Sequence, residues 1–121
     1  MAFSQLSPYK QACEIVSVVY AQMIQRFDVF LFTTMGSDPV AEMNSKVPIP
    51  QADLKAIVQR MIGMCGYETA VRFQSDQSFE GSITKDGDLI GYFTSLNLSS
   101  SKAGFVFVSI NILPTPIAAT G

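Results

Sequence analysis

The segment that decides the fold reads Phe105-Val106-Phe107-Val108-Ser109-Ile110-Asn111-Ile112-Leu113. It carries no charged residue, and β-branched and aromatic side chains dominate it, as is typical of a β-strand. Alternation places apolar groups on both faces of this strand. One face carries Val106, Val108, Ile110 and Ile112, and the other carries Phe105, Phe107 and Leu113, with Ser109 and Asn111 between them.

Two interpretations of this strand are open from the sequence. In the first, it is a central strand, buried on both faces within its own sheet. In the second, its free side or its second face meets another protein, for instance by strand addition, in which backbone hydrogen bonds supply the affinity. An exposed edge strand without charge or proline would invite unwanted pairing, so neighbours must protect it in either case.

The residues that precede this strand also alternate. Residues 71–74, 79–84 and 90–98 have strand periodicity, and turn residues occupy 85–88 and 99–104. Pro114 and Pro116 are expected to end the last strand, because proline cannot donate to a ladder. This half of the chain therefore predicts an antiparallel meander of about four strands.

The first half of the chain predicts two helices. Ser7 can cap the first helix and Pro8 suits its first position. The second helix begins after Pro50 and ends before Gly66. Their apolar faces consist of Ala12, Ile15, Val16, Val19, Met23 and Phe27 in the first helix, and Leu54, Ile57, Val58, Met61, Ile62 and Cys65 in the second.

The stretch between the helices is less clear. Residues 27–32 could form a short buried strand or extend the first helix, and residues 33–50 are expected to form a loop. The prediction is an α+β domain spanning residues 1–121, in which two helices are followed by a mainly antiparallel sheet. Residues 1–7 and 114–121 are expected to be flexible tails.

The composition argues against several classes of function. The chain has 121 residues, of which 15% are charged, against roughly 25% in an ordinary soluble domain. Eight basic residues oppose ten acidic ones, which argues against nucleic-acid binding. Histidine is absent, so a Ser-His-Asp or Cys-His arrangement is impossible within this chain. We expect no catalytic residue, no cofactor, no metal and, without a long apolar run, no membrane span.

Two minor features have simple interpretations. Cys13 and Cys65 lie in helical apolar patterns and are expected to be buried free thiols, in a chain of intracellular origin. Asp86 and Asp88 could contribute to a calcium site, but a solvated hairpin turn accounts for them better, because the further ligands of a calcium loop are missing.

The order of segments resembles a known family. Residues 31–39, Leu-Phe-Thr-Thr-Met-Gly-Ser-Asp-Pro, are followed by Asn44-Ser45 and then by the second helix. This resembles the small baseplate wedge, or sheath-initiator, protein of contractile-tailed phages, a family shared with a baseplate component of type VI secretion systems. Members carry a Leu-Thr-x-x-Gly-x-x-Pro pattern at the end of a helix and a Glu-Pro-Arg signature that opens the first strand. Here Glu68 matches that signature, whereas Thr69 stands in place of Pro and Ala70 in place of Arg.

The resemblance implies a structural, non-enzymatic part of a virion tail baseplate, made in the host cytoplasm. It implies that residues 27–32 continue the first helix. It also implies that the signature region contacts neighbouring wedge proteins, and that the sheet offers strands to tail sheath subunits in a six-fold assembly. The expected protein-interface residues are Glu68, Thr69, Ala70, Arg72, Phe105, Phe107, Val108, Ile110 and Ile112. The alternative is a small intracellular protein-binding module, such as a chaperone or an immunity-type inhibitor, that acts through the same sheet.

Overall fold

The computed structural model describes residues 7–25, 28–35, 38–45, 49–98 and 104–118, and gives the backbone alone for residues 28–35, 38 and 45. In these residues the chain forms two helices and one six-stranded antiparallel sheet. The elements in chain order are α1 (Pro8–Met23), β1 (Asp28–Met35), β2 (Asp38–Ser45), α2 (Gln51–Met64), β3 (Glu68–Gln74), β4 (Ser78–Lys85), β5 (Asp88–Asn97) and β6 (Gly104–Ile117). The strand order across the sheet is β1-β2-β6-β5-β4-β3.

This architecture confirms the α+β prediction and the antiparallel pairing of the last four strands. Six strands are present instead of about four, because a hairpin of β1 and β2 lies between the two helices. The hairpin joins the sheet through β2, which pairs with β6 from Val40↔Ser109 to Ser45↔Gly104. The strand β6 is therefore central, with a neighbour on each side.

Two expectations for the stretch between the helices are wrong. The helix continuation that the family resemblance implies is wrong, because residues 28–32 belong to β1, as the strand alternative for residues 27–32 predicted. Residues 33–35 and 38–45 are strand where a loop was expected. The apolar, aromatic run of β1 favours a strand once β2 is there to pair with it. In β2, buried Ala41 and Met43 alternate with half-buried Glu42 and Asn44, a pattern too short and too polar to stand out in the sequence. Phe27, which was expected on the apolar face of the first helix, lies outside the described residues.

The last strand is also longer than expected. It passes through Pro114 and Pro116 and ends at Ile117, which pairs with Leu89. The prolines do not stop the strand, but the β5–β6 ladder is irregular there, with a register shift between Leu89 and Gly91. Of the predicted tails, residues 1–6 and 119–121 lie outside the described residues. Ser7, which was expected in the first tail, caps α1: its Oγ accepts a hydrogen bond from the Lys10 backbone N–H at 3.3 Å.

Both helices pack on the same face of the sheet and form one core with it. The α1 residues predicted to be apolar and buried are buried, and α1 lies against β2 and β6, whereas α2 lies against β3 and α1. The main buried contributions to this core come from Ala12, Ile15, Val16, Val19, Met23, Ala41, Met43, Leu54, Val58, Met61, Ile62, Phe79, Ile83, Phe93, Val106, Val108 and Ile110. The helix α2 ends as predicted, because Gly66 follows it with a φ of 91°.

Candidate protein interface

The opposite face of the sheet carries no described helix. We call it the helix-free face, and the strand register defines its residues. In one row across the sheet, Glu42 lies opposite Phe107, Phe107 opposite Leu96, and Leu96 opposite Ser78. The face as a whole is made by Val40, Glu42, Asn44, Glu68, Ala70, Phe73, Ser78, Glu80, Ser82, Thr84, Tyr92, Thr94, Leu96, Phe105, Phe107, Ser109 and Asn111, of which Val40 is fully buried.

Aromatic side chains are prominent on the helix-free face. Phe73 is 54% exposed and Tyr92 is 39% exposed. Phe105 and Phe107 are half-buried and pack edge to face, with their ring centroids 5.0 Å apart. Leu96 is half-buried beside them. A surface of this composition resembles the aromatic-rich centre of a protein interface more than an ordinary solvated sheet face.

The strand β5 is turned with its more apolar side away from the helices. Gly91, Phe93, Ser95 and Asn97 face the core, whereas Tyr92, Thr94 and Leu96 face the helix-free side. The core side therefore includes two buried polar residues. Asn97 Nδ2 donates to Ile49 O at 3.2 Å, and Ser95 Oγ is buried with no hydrogen-bond partner in the described part of the chain.

The charges on the helix-free face are few and of both signs. Glu42, Glu68 and Glu80 lie on it, and Arg72 reaches it from a bulge in β3 between Val71 and Phe73. Arg72, Phe73, Glu80, Gly81 and Tyr92 line a shallow depression of about 250 Å³. Among its described residues, this surface has no cluster of basic groups that could neutralise phosphates.

The signature region lies on β3, at one edge of the sheet. Glu68, Ala70 and Arg72 are exposed, so a partner could reach them. Thr69 is half-buried, and its Oγ1 accepts a hydrogen bond from Gln59 Nε2 of α2 at 3.2 Å. The side chain of Thr69 is therefore engaged on the helix side of the sheet.

The predicted interface residues of β6 divide between the two faces. Phe105 and Phe107 lie on the helix-free face, whereas Val108 and Ile110 are fully buried and Ile112 is 8% exposed beneath the helices. Because β2 pairs with residues 104–109 and β5 with residues 106–112, the backbone of residues 106–109 is paired on both sides and is not free for strand addition. Ile110 and Ile112 pair with β5, and the register with β2 ends at Ser109. The central-strand interpretation is confirmed in that β6 has a neighbouring strand on each side. It expected both faces of the strand to be buried, however, and the second face is only half-buried. Whether these residues contact a partner stays a prediction.

Sequence reasoning missed Phe73, Tyr92 and Leu96 as candidates. The alternation of residues 90–98 did indicate a shared strand face for Tyr92 and Leu96, but an apolar set is normally assigned to the core. The register shift between Leu89 and Gly91 also separates Ile90, which packs against the core, from that set. The turn that precedes them is a hairpin turn as predicted, with a φ of 52° at Asp86 and of 85° at Gly87.

In the part of the chain that the structure describes, ionisable groups elsewhere form no recognisable reactive centre. Cys13 and Cys65 are free and half-buried rather than fully buried. Burial, with the Glu14 carboxylate as a smaller cause, raises the pKa of the Cys65 thiol, which disfavours the reactive thiolate. Among the residues described, no group of three or more His, Cys, Asp or Glu side chains could hold a metal ion.

A second depression lies at the start of α1. It has a volume of about 290 Å³, and its lining includes Gln11, Tyr67 and Lys85. Tyr67 Oη donates to Gln11 Oε1 at 3.0 Å, and Lys85 Nζ lies 5.7 Å from the centroid of the Tyr67 ring. These contacts connect α1 with the segment that follows α2.

No family model, curated protein or solved structure matches this chain. In the described ranges, neither helix has the length and hydropathy needed to cross a bilayer.

Proposed function

We propose that this chain is a non-enzymatic assembly subunit that binds another protein through its helix-free face. The observation that carries the proposal is the orientation of β5, whose apolar alternate residues Tyr92 and Leu96 face away from the core while Ser95 and Asn97 face into it. Phe93 accounts for the inward set, but burying apolar area is the main favourable term in folding, and the fold leaves Tyr92 and Leu96 outside the core. A partner that covers Tyr92 and Leu96 supplies the missing reason.

The partner is a protein rather than a nucleic acid. Glu42 and Glu80 would repel phosphates, and Arg72 is the basic residue that lines the depression together with Glu80. The exposed Phe73 and Tyr92 offer apolar area together with a phenolic hydroxyl, a combination common in protein interfaces.

The specific assembly that we propose is the baseplate of a contractile tail. Its support is the likeness of residues 31–39 and 66–73 to the wedge family. The exposed Glu68 and Ala70 of β3 belong to the helix-free face and Arg72 reaches it, so wedge proteins and sheath subunits could contact one continuous surface. The strand at residues 28–35 departs from the helix that this likeness implies.

Stoichiometry separates the baseplate from the alternative of a small binding module. The tagged chain, purified with its partners from its native source, is examined by electron microscopy and native mass spectrometry. The baseplate proposal expects a ring with six copies of the chain or a multiple of six. A soluble one-to-one or two-to-two complex would refute the baseplate and leave the binding module.

The interface itself is tested with a matched pair of double variants. Phe73→Ser with Tyr92→Ser removes two exposed apolar groups from the helix-free face. Tyr9→Ser with Ile24→Ser removes two from the helix side, where Tyr9 is 49% exposed and Ile24 is 55% exposed. Circular dichroism first verifies that both variants fold. We expect the first variant to be lost from the assembly and the second to be retained; equal retention of both would refute the interface.

A further inference from the structure

The two edges of the sheet differ in how they are protected. The edge strand β3 carries charges at Glu68 and Arg72 and a bulge between Val71 and Phe73, which are devices that discourage pairing with other chains. The opposite edge strand β1 also has a register shift, between Val29 and Leu31, and it has Asp28 at its start. The two edges differ in charge, because residues 29–35 of β1 carry neither charge nor proline. Among the described residues, β2 is the strand that pairs with β1, so one side of its backbone is unpaired there.

We propose that β1 pairs with β1 of a second copy of this chain, antiparallel and about a two-fold axis. The two six-stranded sheets then become one continuous sheet. The occupant of such an edge must be an extended strand, because its unpaired N–H and C=O groups repeat at strand spacing. This proposal concerns the edge and goes beyond the binding of a partner to the helix-free face.

Symmetry and charge favour a second copy. Pairing of β1 with β1 satisfies both free edges at once and closes the assembly, whereas pairing of β1 with β3 would leave an open edge at each end and build a fibre. In the antiparallel arrangement, Asp28 of each copy lies opposite the far end of the other strand. The two Asp28 residues are then separated by seven residue steps along the strands, about 24 Å, whereas parallel pairing would place them side by side.

The geometry of the dimer follows from the pairing. Antiparallel pairing within one sheet requires the two-fold axis to be perpendicular to the sheet. Both helix layers then lie on one side, and the two helix-free faces form a single surface on the other. The edge alone buries less than the roughly 1,600 Å² of a standard interface, so we expect dissociation in the micromolar range.

The first measurement is the molar mass of the purified full-length chain, by size-exclusion chromatography with light scattering from micromolar to millimolar concentration. We expect a concentration-dependent rise from 13.2 kDa towards twice that value. A monomer at every concentration would overturn the proposal.

A pair of proline variants then locates the contact. Consecutive N–H groups in a strand point to opposite sides. Of Thr33→Pro and Thr34→Pro, one therefore removes an N–H that faces β2, and the other removes one that faces outward. We expect the outward variant to stay folded, by circular dichroism, and to be monomeric. If the outward proline variant folds and still forms a dimer, the proposal is overturned. Loss of the dimer in Tyr92→Ser would also overturn it, because that substitution leaves the β1 edge unchanged.

A cysteine series decides the matter if neither proline variant folds. In a Cys13→Ser, Cys65→Ser background, single cysteines are placed at positions 29–35 and oxidised. Antiparallel two-fold pairing brings one position of β1 next to its own copy, so we expect disulfide dimers to peak at one or two neighbouring positions. Ala70→Cys on β3 is the matched control at the opposite edge and should form few dimers. An even distribution or none across positions 29–35 would refute the pairing, and the helix-free face could still bind its partner.

Discussion

Replacing Phe73 by alanine should cost little stability, although phenylalanine is among the most costly residues to truncate in a core. Phe73 lies on the helix-free face and is 54% exposed, whereas Phe93 lies on the core side of the same sheet with no exposure. If the helix-free face serves binding and not folding, these two substitutions must differ widely in their effect on the free energy of unfolding.

The magnitudes follow from burial. Full burial of a Phe side chain contributes about 1.5–3 kcal/mol, and Phe73 is slightly less than half buried, so Phe73→Ala should cost about 1 kcal/mol. Phe93 packs edge to face on Phe79, with the ring centroids 6.1 Å apart. Phe93→Ala also leaves a cavity, and its cost should be about 3–5 kcal/mol.

The assay is urea unfolding followed by far-ultraviolet circular dichroism, with the slope of the transition compared between variants to verify that the same surface is exposed on unfolding. We expect midpoints of wild type and Phe73→Ala that lie close together, and a much lower midpoint for Phe93→Ala. The reasoning is refuted if Phe73→Ala destabilises the chain as much as Phe93→Ala, because Phe73 would then be needed for the fold.

Three further predictions test the packing and the electrostatics. Gly81→Ala should destabilise the chain by about 1–3 kcal/mol in thermal unfolding, since the added Cβ would clash with the Ala70 backbone carbonyl oxygen and lie 2.8 Å from the Phe93 ring; Gly63→Ala, with open space around it, should gain up to about 1 kcal/mol, and equal effects would contradict the packing. Tyr67→Phe should cost about 1 kcal/mol in urea unfolding through loss of the hydrogen bond to the Gln11 side chain, and an unchanged midpoint would show that this bond contributes nothing. Burial raises the pKa of the Cys65 thiol, so the folded state favours its protonated form. The contribution of this thiol to stability is full below the ordinary thiol pKa of about 8.5 and is lost as the pH rises above it. Alkylation of Cys65 in the native chain should therefore need a higher pH than in the unfolded chain, and identical pH profiles would contradict this.

The sequence contains strong signals for the two helices and for the meander. Ser7, Pro8 and Gly66 mark helix ends by local chemistry that acts within a few residues, so these ends could be predicted without knowledge of the tertiary fold. The charge-free run of β6 indicated a strand for the same reason.

The hairpin of β1 and β2 could not be predicted in the same way. The sequence of residues 28–35 suits either a strand or an extension of the helix. In β2, which contains Pro39, only Ala41 and Met43 are buried apolar residues on the side that faces the core. Pairing with β6, which is more than sixty residues distant in the chain, stabilises this segment as a strand. Tertiary contacts of this kind override local propensity.

The orientation of β5 was hidden for a related reason. Alternation shows which residues share a face but not which face the helices will cover. Phe93 and Gly91 belong to the set of β5 residues that faces the core. Phe93 is bulky and is buried there, and the backbone of β6 approaches Gly91 so closely that a Cβ would meet the Asn111 carbonyl oxygen. The more apolar set is left outside, and this mismatch became visible only when the strands were arranged in the sheet.

The most direct test of the helix-free face as an interface is hydroxyl-radical footprinting of two tyrosines in the native assembly and in the isolated chain. Tyr92 lies on the helix-free face with 39% exposure, and Tyr9 lies on α1 with 49% exposure, so the two rings are matched in chemistry and in access. Both should be oxidised in the isolated chain. In the assembly, we expect oxidation of Tyr92 to fall sharply while that of Tyr9 persists. Undiminished oxidation of Tyr92 in the intact assembly would contradict the account.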